Sequence, residues 1–262
     1  MKLEVLTAIK NFADNPVLSC AEWNRFNPDN NPFCSFEFLS ALESSGSCTE
    51  GTGWQPHHLI IRNDRQHCIA IIPSYLKTNS NGEYVFDWAW ADAYRRHGLQ
   101  YYPKLLSAIP FTPSAGPRIL TQQNHISQDL TTFIREETIA YLQHESISGW
   151  HLLFPDKNSL SIANLAVAAE EREDHSIPGG IARNPQRINE IAVTSPDLML
   201  IRQGTQFQWM NLDYQHFDNF LDRLTSRKRK NIRKERQKVA TAGVQCQWLS
   251  GEDIDEQALD SF

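Results

Sequence analysis

The sequence predicts a mixed α/β (α+β) fold in which helices flank a β-sheet. Segments with helical periodicity alternate along the chain with apolar strand-like runs and hairpin turns, a pattern that favours a mixed sheet over a helical bundle or a β-sandwich. The 262 residues are 40% hydrophobic and 21% charged, and they include 7 Trp, 7 Tyr and 13 Phe. A chain of this length and aromatic content buries a sizeable core, which argues against wholesale disorder.

The first third of the chain contains two short helices and a hairpin. Strand-like residues open the chain, and apolar residues at helical spacing indicate helices around residues 21–24 and 38–42. Residues 57–62 and 68–77 are apolar runs separated by an Asn-Asp turn, which predicts a β-hairpin. Because the second run is almost continuously apolar, we expect it at the centre of the sheet.

The middle of the chain contains three strand-like runs and two helices. Residues 83–90 resemble a strand and run into a helix that ends at Gly98. A strand over residues 101–110 enters a loop rich in proline and glycine. Residues 128–145 have the periodicity of a helix, and a strand over residues 150–154 stops at a Pro-Asp pair.

The last third begins with a polar segment. Residues 174–195 contain Pro-Gly-Gly and Asn-Pro, and they are predicted to form a mobile insertion after a short helical stretch. Residues 198–211 resemble two strand edges joined by a tight turn at Gly204. An apolar face runs through residues 217–239 and predicts a helical region, which ends at a glycine before a new strand at residues 244–248.

The largest local charge lies on this helical region. Nine of the chain's 25 Lys and Arg residues fall between Arg223 and Lys238, with Glu235 as the one acid among them. The segment therefore carries +8 within a chain of net charge −6, which leaves −14 for the other residues. Such contrast indicates either a solvated helix face or a polyanionic partner. Nucleic-acid binding, a nuclear-import signal, a membrane-surface helix and an anionic ligand held between two domains all remain open.

Several functional classes lack their sequence signatures. Neither a phosphate-binding loop nor a GxSxG nucleophile motif occurs, and the five scattered Cys residues form no CxxC pair. His57 and His58 would point to opposite faces of a strand, so we do not expect them to share a metal ion. These cysteines and histidines therefore give no reason to expect a bound metal. Because the sequence shows no signal peptide and no apolar run approaching the roughly 18 residues of a membrane span, we expect a cytoplasmic protein.

Two carboxylates alternate with two indoles where the predicted strand meets the predicted helix. Asp87 and Asp92, beside Trp88 and Trp90, can act as general bases or bind an amine. The alternative is structural, with a carboxylate capping the helix and the indoles filling the core. The next segments add hydroxyl groups and cations that can face a substrate: Tyr101, Tyr102, Lys104 and Arg118.

Four blocks of the sequence resemble, in this order, the FemAB-like, GNAT-type acyltransferase family of bacterial proteins related to peptidoglycan biosynthesis. The blocks are residues 83–92, 101–105, 110–118 and 226–236. The resemblance extends over most of residues 30–250. It implies two GNAT-like domains, each a mixed sheet with flanking helices, and transfer of an acyl or aminoacyl group to an amine. The donor is left open between acetyl-CoA and an aminoacyl-tRNA.

The resemblance also implies a domain organisation. We expect a first GNAT-like domain over residues 1–211, and the basic helix and first strand of a second one over residues 212–262. The Q/RxxGxG/A donor cradle that GNAT enzymes place at a helix start is absent from the sequence. We therefore expect a C-terminally truncated member of the family, a fragment whose own activity is left open.

Roles follow from the resemblance and the residue chemistry. Asp87 or Asp92 is the general-base candidate, and Tyr101 or Tyr102 returns a proton to the leaving group. Candidates for substrate contacts are Trp88, Trp90, Lys104 and Arg118, and those for contacts with an anionic donor or acceptor are Arg227, Lys228, Lys230 and Arg233. The alternative is a non-catalytic module that docks tRNA or another anionic ligand through the basic helix. The acidic remainder of the chain disfavours duplex DNA as that ligand.

Overall fold

The computed structural model describes residues 1–10, 19–27, 30–122, 126–160, 181–195 and 198–261. Within them the strands are β1 (Lys2–Leu6), β2 (Trp54–Pro56), β3 (His58–Arg62), β4 (Cys68–Ile72), β5 (Tyr75–Lys77), β6 (Lys104–Ser107), β7 (Trp150–Leu153), β8 (Ile181–Ser195) and β9 (Leu198–Trp209). The helices are α1 (Cys20–Arg25), α2 (Phe36–Ser44), α3 (Trp88–Arg96), α4 (Gln128–His144), α5 (Lys157–Leu160), α6 (Phe217–Asp222), α7 (Ser226–Thr241) and α8 (Glu256–Ser261).

The strands form two sheets. β1, β3 and β4 make a three-stranded antiparallel sheet with β3 in the middle. The second sheet has six strands in the order β2-β5-β6-β7-β8-β9. Its strands β6 and β7 are parallel, and helix α4 lies between them in the chain, because parallel neighbours need a crossover connection. The predicted mixed α/β (α+β) fold is confirmed, while the tandem GNAT-like arrangement remains a prediction.

The apolar run at residues 68–77 changes sheet at Pro73 and Ser74. Strand β4 pairs with β3 in the first sheet, whereas β5 pairs with β2 and β6 in the second. Pro73 has no amide hydrogen to donate to a ladder. Ser74 is fully buried, its Oγ lies 2.7 Å from Ser107 Oγ, and its amide donates to His58 Nδ1 at 3.1 Å. The expectation that the whole run is central is therefore wrong, because β4 is an outer strand of its sheet.

The largest apolar cluster joins helix α4 to both sheets. The predicted helix over residues 128–145 is confirmed, and it begins after Ser127, whose side chain accepts a hydrogen bond from the Leu130 amide. The buried members of the cluster include Ile134, Ile139 and Leu142 of α4, Leu59 and Ile61 of β3, and Leu105, Trp150 and Leu152 of β6 and β7. Burial of each such side chain stabilises the fold by about 1.5–3 kcal/mol.

The segment before helix α3 does not form the predicted strand. Tyr84 adopts a φ of 60°, in the left-handed region that interrupts an extended backbone. Glu83 and Asp87 are both buried against a lysine side chain, and the backbone follows these contacts instead of a sheet ladder. The helix itself closes at Gly98, with a φ of 70°, as predicted.

Two predictions beyond residue 173 differ from the observed strands. Residues 181–195 belong to the segment expected to be a mobile insertion, and they form strand β8, which is antiparallel to β7. Gly204 lies inside one continuous strand, β9, which corrects the predicted turn. Both segments gain backbone hydrogen bonds from neighbouring strands, and the sequence of each segment does not reveal those partners. Residues 161–180, with the rest of the predicted insertion and helix, lie outside the described residues.

Residues 244–248 do not form the predicted strand. The Val244 amide donates back to the Val239 carbonyl at 3.4 Å, so the chain is still closing helix α7 at this point. Gly243, with a φ of 69°, ends the helix as predicted. No strand of the described residues pairs with this segment, and an isolated strand has no ladder to stabilise it.

The chain divides into two compact units. The first contains Met1–Glu171 and Pro185–Gln206, and the second contains Arg172–Asn184 and Phe207–Phe262. Helices α1 to α5 belong to the first unit, and helices α6 to α8 belong to the second. The predicted domain boundary at residues 211 and 212 remains a prediction. Among the helices that the structure describes, none combines the length and apolar character needed to cross a membrane.

Candidate functional site

A buried lysine pairs with two buried carboxylates in the first unit. Lys104 opens strand β6, which lies between β5 and β7, so its side chain is inside the fold. Its Nζ donates to Glu83 Oε2 at 2.8 Å and to Asp87 Oδ2 at 2.5 Å. All three side chains are at most 1% exposed. Such a network persists only because each charge has an opposite partner within hydrogen-bonding distance.

The two carboxylates differ in their protonation. Burial acts to raise the pKa of Asp87, but the charge and hydrogen bond of Lys104 outweigh it and hold that pKa below its ordinary value. Burial dominates at Glu83 and raises its pKa, because Lys104 only partly offsets the loss of solvation. Glu83 Oε1 also has no hydrogen-bond partner within the described part of the chain. Asp87 therefore remains a carboxylate at neutral pH, whereas Glu83 takes up a proton more readily.

A second buried lysine holds the loop beneath helix α3. Lys77 Nζ lies 3.8 Å from the centre of the Trp54 ring and donates to the Asn81 carbonyl at 3.1 Å. Trp54 Nε1 donates to the same carbonyl at 2.9 Å. Burial lowers the pKa of Lys77 to about 8. Two buried cations thus hold the loop that carries Glu83 and Asp87. Lys77 binds it at Asn81, and Lys104 binds it at the two acids.

Tyr101 and Tyr102 connect this network to the surface. The Tyr102 hydroxyl donates to Asp87 Oδ1 at 3.3 Å, and burial raises its pKa above the ordinary value. The Tyr101 ring packs edge to face on Tyr102, with centroids 5.0 Å apart, and it lies 5.3 Å from Lys104 Nζ. Tyr101 is buried, whereas Tyr102 is half-buried. Tyr102 therefore bonds to the network through its hydroxyl, and the residue is partly exposed to solvent.

A shallow groove of about 470 Å³ opens beside the two tyrosines. Its lining residues are Ala91, Asp92, Arg95, Leu99, Gln100, Tyr101 and Tyr102. Asp92 pairs with Arg95 and with Arg96, the latter at 2.5 Å. The hydrogen bond from Arg95 is the main cause that lowers the pKa of Asp92. The groove is therefore lined by an ionised carboxylate and by two phenol rings.

The indoles of helix α3 face solvent. Trp88 is 66% exposed and Trp90 is 42% exposed, so the alternative in which they fill the core is wrong. Asp87 occupies the N-cap position of α3, but its side chain makes no capping hydrogen bond, because both its oxygens are engaged by Lys104 and Tyr102. Neither indole lines the groove.

Arg118 lies elsewhere in the first unit and does not line the groove. Its guanidinium donates to the carbonyl oxygens of Leu153 and Ser114, each at 2.6 Å, and of Pro117 at 3.0 Å. The side chain is buried, and burial lowers its pKa. These contacts tie the proline-rich loop to the end of strand β7, so we infer a structural contribution for Arg118 beside its predicted substrate contact.

The four basic candidates belong to helix α7 of the second unit. Arg227, Lys228 and Lys230 are exposed, and Arg233 forms an ion pair with Asp218 at 3.3 Å. The structure thus brings together one subset of the predicted residues, in which Asp87, Lys104 and Tyr102 touch, with Tyr101 packed on Tyr102. Asp92 is linked to this cluster only as a lining residue of the groove, together with Tyr101 and Tyr102.

No metal site is visible among the residues that the structure describes, since no three His, Cys, Asp or Glu side chains meet there. His57 Nε2 lies 2.6 Å from the Tyr141 hydroxyl, and His58 Nε2 lies 2.9 Å from Glu43 Oε1. The two histidines therefore serve separate polar contacts.

Glu83 and Lys77 are members of the network that the sequence did not single out. Glu83 stands four residues before Asp87, and every second residue between them is aromatic and exposed, a pattern that places both acids on the inner side. Lys77 ends an apolar strand, and Lys104 begins one. The position of each lysine within an apolar strand was the sequence signal that its side chain is buried.

The chain matches the FemAB-like family model, described as peptidoglycan biosynthesis/recognition, over residues 17–178 and 182–262. The matched ranges include the groove, the buried network and helix α7. No curated protein and no solved structure matches the chain.

Proposed function

The chain belongs to the FemAB-like family of peptidoglycan biosynthesis and recognition, and from this premise we propose that it transfers an acyl or aminoacyl group to an amine acceptor bound in the groove. One observation carries the proposal. Tyr102 lines the groove and donates its hydrogen bond to Asp87, whose charge is fixed by the buried Lys104. An ionisable hydroxyl is thereby held at the edge of a cleft, where its oxygen is close to a ligand in the groove.

Asp92 is proposed to bind the acceptor. Arg95 and Arg96 lower its pKa, so it stays ionised at neutral pH, and an ammonium group binds it by displacing one of these two exposed arginines. The same low pKa makes it a weak base, so its main contribution is to orient the amine. The phenol ring of Tyr102 and the side chain of Leu99 supply apolar contact along the groove.

Tyr102 is proposed to donate a proton to the leaving group. Burial raises its pKa, so the hydroxyl is protonated at neutral pH and can act as a general acid. Asp87 is 1% exposed and does not line the groove, so its predicted role as a base becomes indirect. It accepts the Tyr102 hydrogen bond in the resting protein, and the hydroxyl turns from Asp87 to the leaving group when the donor is bound. Lys104 balances the charge of Asp87 throughout.

The transfer forms one bond and breaks another. The amine nitrogen forms a bond to the acyl carbon, and the bond from that carbon to the sulfur or oxygen of the donor breaks. The bound ammonium group loses one proton to water and becomes the nucleophilic amine, and the nitrogen loses a second proton to water after the new bond forms. Both protons leave through the open groove. The departing sulfur or oxygen gains one proton from Tyr102, which recovers it from solvent.

The test uses purified peptidoglycan precursor with acetyl-CoA or aminoacyl-tRNA as donor, and new amide is detected by mass spectrometry. Tyr102→Phe is expected to lower kcat by about 100-fold with little change in KM, since a general acid typically contributes at least this much. Asp92→Asn is expected to raise KM for the acceptor. Tyr84→Phe is the matched control, because Tyr84 is exposed and does not line the groove.

Two results would count against the proposal. If neither donor yields amide, acyl transfer is excluded for this chain. If amide forms and Tyr102→Phe retains the full rate, the groove is not the reacting site. Thermal melts with each donor then separate catalysis from docking, because stabilisation by tRNA that disappears with salt, without product, is the behaviour of a binding module.

A further inference from the structure

The basic helix α7 has two different cationic faces. At 100° per residue, Arg229, Arg233 and Arg236 fall on one side of the helix. Arg227, Lys230, Lys234 and Lys238 fall within one narrow band on the opposite side. Seven of the nine cations between Arg223 and Lys238 therefore fall into two groups with separate surroundings, while Lys228 lies between the groups and Arg223 precedes the helix.

The arginine face packs on helix α6 within the second unit. Arg233 Nη2 pairs with Asp218 Oδ1 at 3.3 Å, and Arg229 Nη1 donates to the Asp222 carbonyl at 3.2 Å. The Arg236 guanidinium lies 4.4 Å from the centre of the Phe217 ring. Three cations thus contact one short helix, and a ligand that bound them would compete with these contacts.

The opposite face carries what we call the cationic stripe, namely Arg227, Lys230, Lys234 and Lys238. The intervals of three, four and four residues place these side chains in a straight row about 16 Å long. All four are exposed, and none forms an ion pair with a side chain that the structure describes. A row of unpaired cations costs self-repulsion, which an anionic partner would offset.

We propose that the cationic stripe binds the surface of an anionic lipid bilayer. A straight helix lies flat on a plane, so all four cations can reach headgroup phosphates at once. Three of the four residues are lysines, whose compact charge suits the diffuse surface potential of a bilayer. Anionic membrane leaflets attract clusters of Lys and Arg of this type. The arginines, which are better suited to bidentate recognition of nucleic acid, are mostly on the packed face.

The flanks of the stripe favour a lipid surface over RNA. Asn231, Gln237 and Thr241 are its neighbours on the helix, and all three are small or medium polar residues. Single-stranded RNA is held by stacking on aromatic side chains as well as by charge, and this face of α7 has no aromatic residue. The stripe therefore provides electrostatic attraction without a base-binding platform. Its flat polar face indicates adsorption to headgroups and not insertion.

The experiment measures co-sedimentation of the full chain with vesicles of phosphatidylcholine and phosphatidylglycerol, against vesicles of phosphatidylcholine alone. Binding is expected only to the anionic vesicles, and it should fall as salt is raised, because exposed charges are screened. The variant Lys230→Gln, Lys234→Gln, Lys238→Gln is expected to bind about 100-fold more weakly, at about fivefold per lost charge. Gln keeps the helix propensity of Lys, and circular dichroism checks that the helix persists.

The matched control removes three exposed cations elsewhere, with Lys2→Gln, Lys10→Gln and Arg65→Gln, and so lowers net charge equally. It is expected to retain most of the vesicle binding. Equal loss in both variants would overturn the assignment to the stripe, since overall charge would then explain it. Tighter, stripe-dependent binding of an RNA oligonucleotide than of anionic vesicles would overturn the lipid partner. Neither result bears on whether the groove performs acyl transfer.

Discussion

Replacing Glu83 by Gln is expected to stabilise the protein increasingly as pH rises. Burial raises the pKa of Glu83 from its ordinary 4.5 to about 7, so the folded state disfavours the ionised carboxylate. The stability that this group contributes is fully present below 4.5 and is lost as pH rises through 7. Since a tenfold change in proton affinity corresponds to about 1.4 kcal/mol, wild type loses roughly 2–3 kcal/mol between about pH 5 and pH 8 that the variant does not lose.

A second buried group makes the difference between variant and wild type the right quantity to measure. Burial lowers the pKa of His57 from 6.5 to about 4. Its contribution to stability is present above 6.5 and is lost as pH falls through 4, which is the opposite slope. In wild type the two slopes partly cancel. Subtracting the two unfolding free energies removes the His57 contribution and leaves that of Glu83.

The assay is urea unfolding followed by tryptophan fluorescence at several pH values between about 5 and 8, with the free energy extrapolated to water. Glu50→Gln is the control, because it makes the same side-chain change at an exposed position. A Glu83→Gln curve that stays parallel to wild type over the whole range would refute the argument that a buried, poorly compensated carboxylate titrates here.

Three further predictions concern stability, each measured as an unfolding free energy. Gly82→Ala is expected to cost about 1–3 kcal/mol, because φ is 78° and the added Cβ would lie 2.6 Å from Phe111 Cδ1. Gly46→Ala is the control and should cost less, because Gly46 has the same φ but no atom within 4 Å of the added Cβ. Equal costs for the two variants would exclude the clash with Phe111. Lys104→Met is expected to cost about 3–5 kcal/mol by leaving two buried carboxylates without a cation, and a neutral result would mean that they are already protonated. Leu152→Ala, fully buried in the main core, is expected to cost about 2–5 kcal/mol, and a much smaller loss would indicate that the cavity collapses.

The range of the contacts explains which parts of the fold the sequence could predict. Helix α4 and the β3–β4 hairpin were predicted correctly, because the cap, the apolar period and the turn all lie within a few residues of one another. The change of sheet at Pro73 depends on strands β2 and β6, which lie on either side of it in the chain. Strand β8 depends on β7 in the same way, so its polar sequence alone indicated a loop.

The candidate site divides along the same line. Asp87, Tyr102 and Lys104 were selected because acidic, phenolic and basic side chains stand out in an apolar context. The Tyr102–Asp87 contact spans 15 residues, the Lys104–Asp87 contact spans 17, and the Lys104–Glu83 contact spans 21. No local sequence pattern therefore indicated which side chains form pairs. The sorting of arginines and lysines on α7 was likewise hidden, because it depends on helix α6 occupying one side.

The junction at Ser74 has a consequence for how the first unit opens. Its amide is bonded to His58 Nδ1, its carbonyl accepts from the His57 amide at 2.8 Å, and its hydroxyl meets Ser107 of the other sheet. Neither sheet can peel away without breaking these bonds, so fraying of one should propagate into the other. In native-state hydrogen exchange, the amides of Ser74 and His57 are expected to exchange only in the slowest cooperative opening of this unit, together with those of β3 and β6.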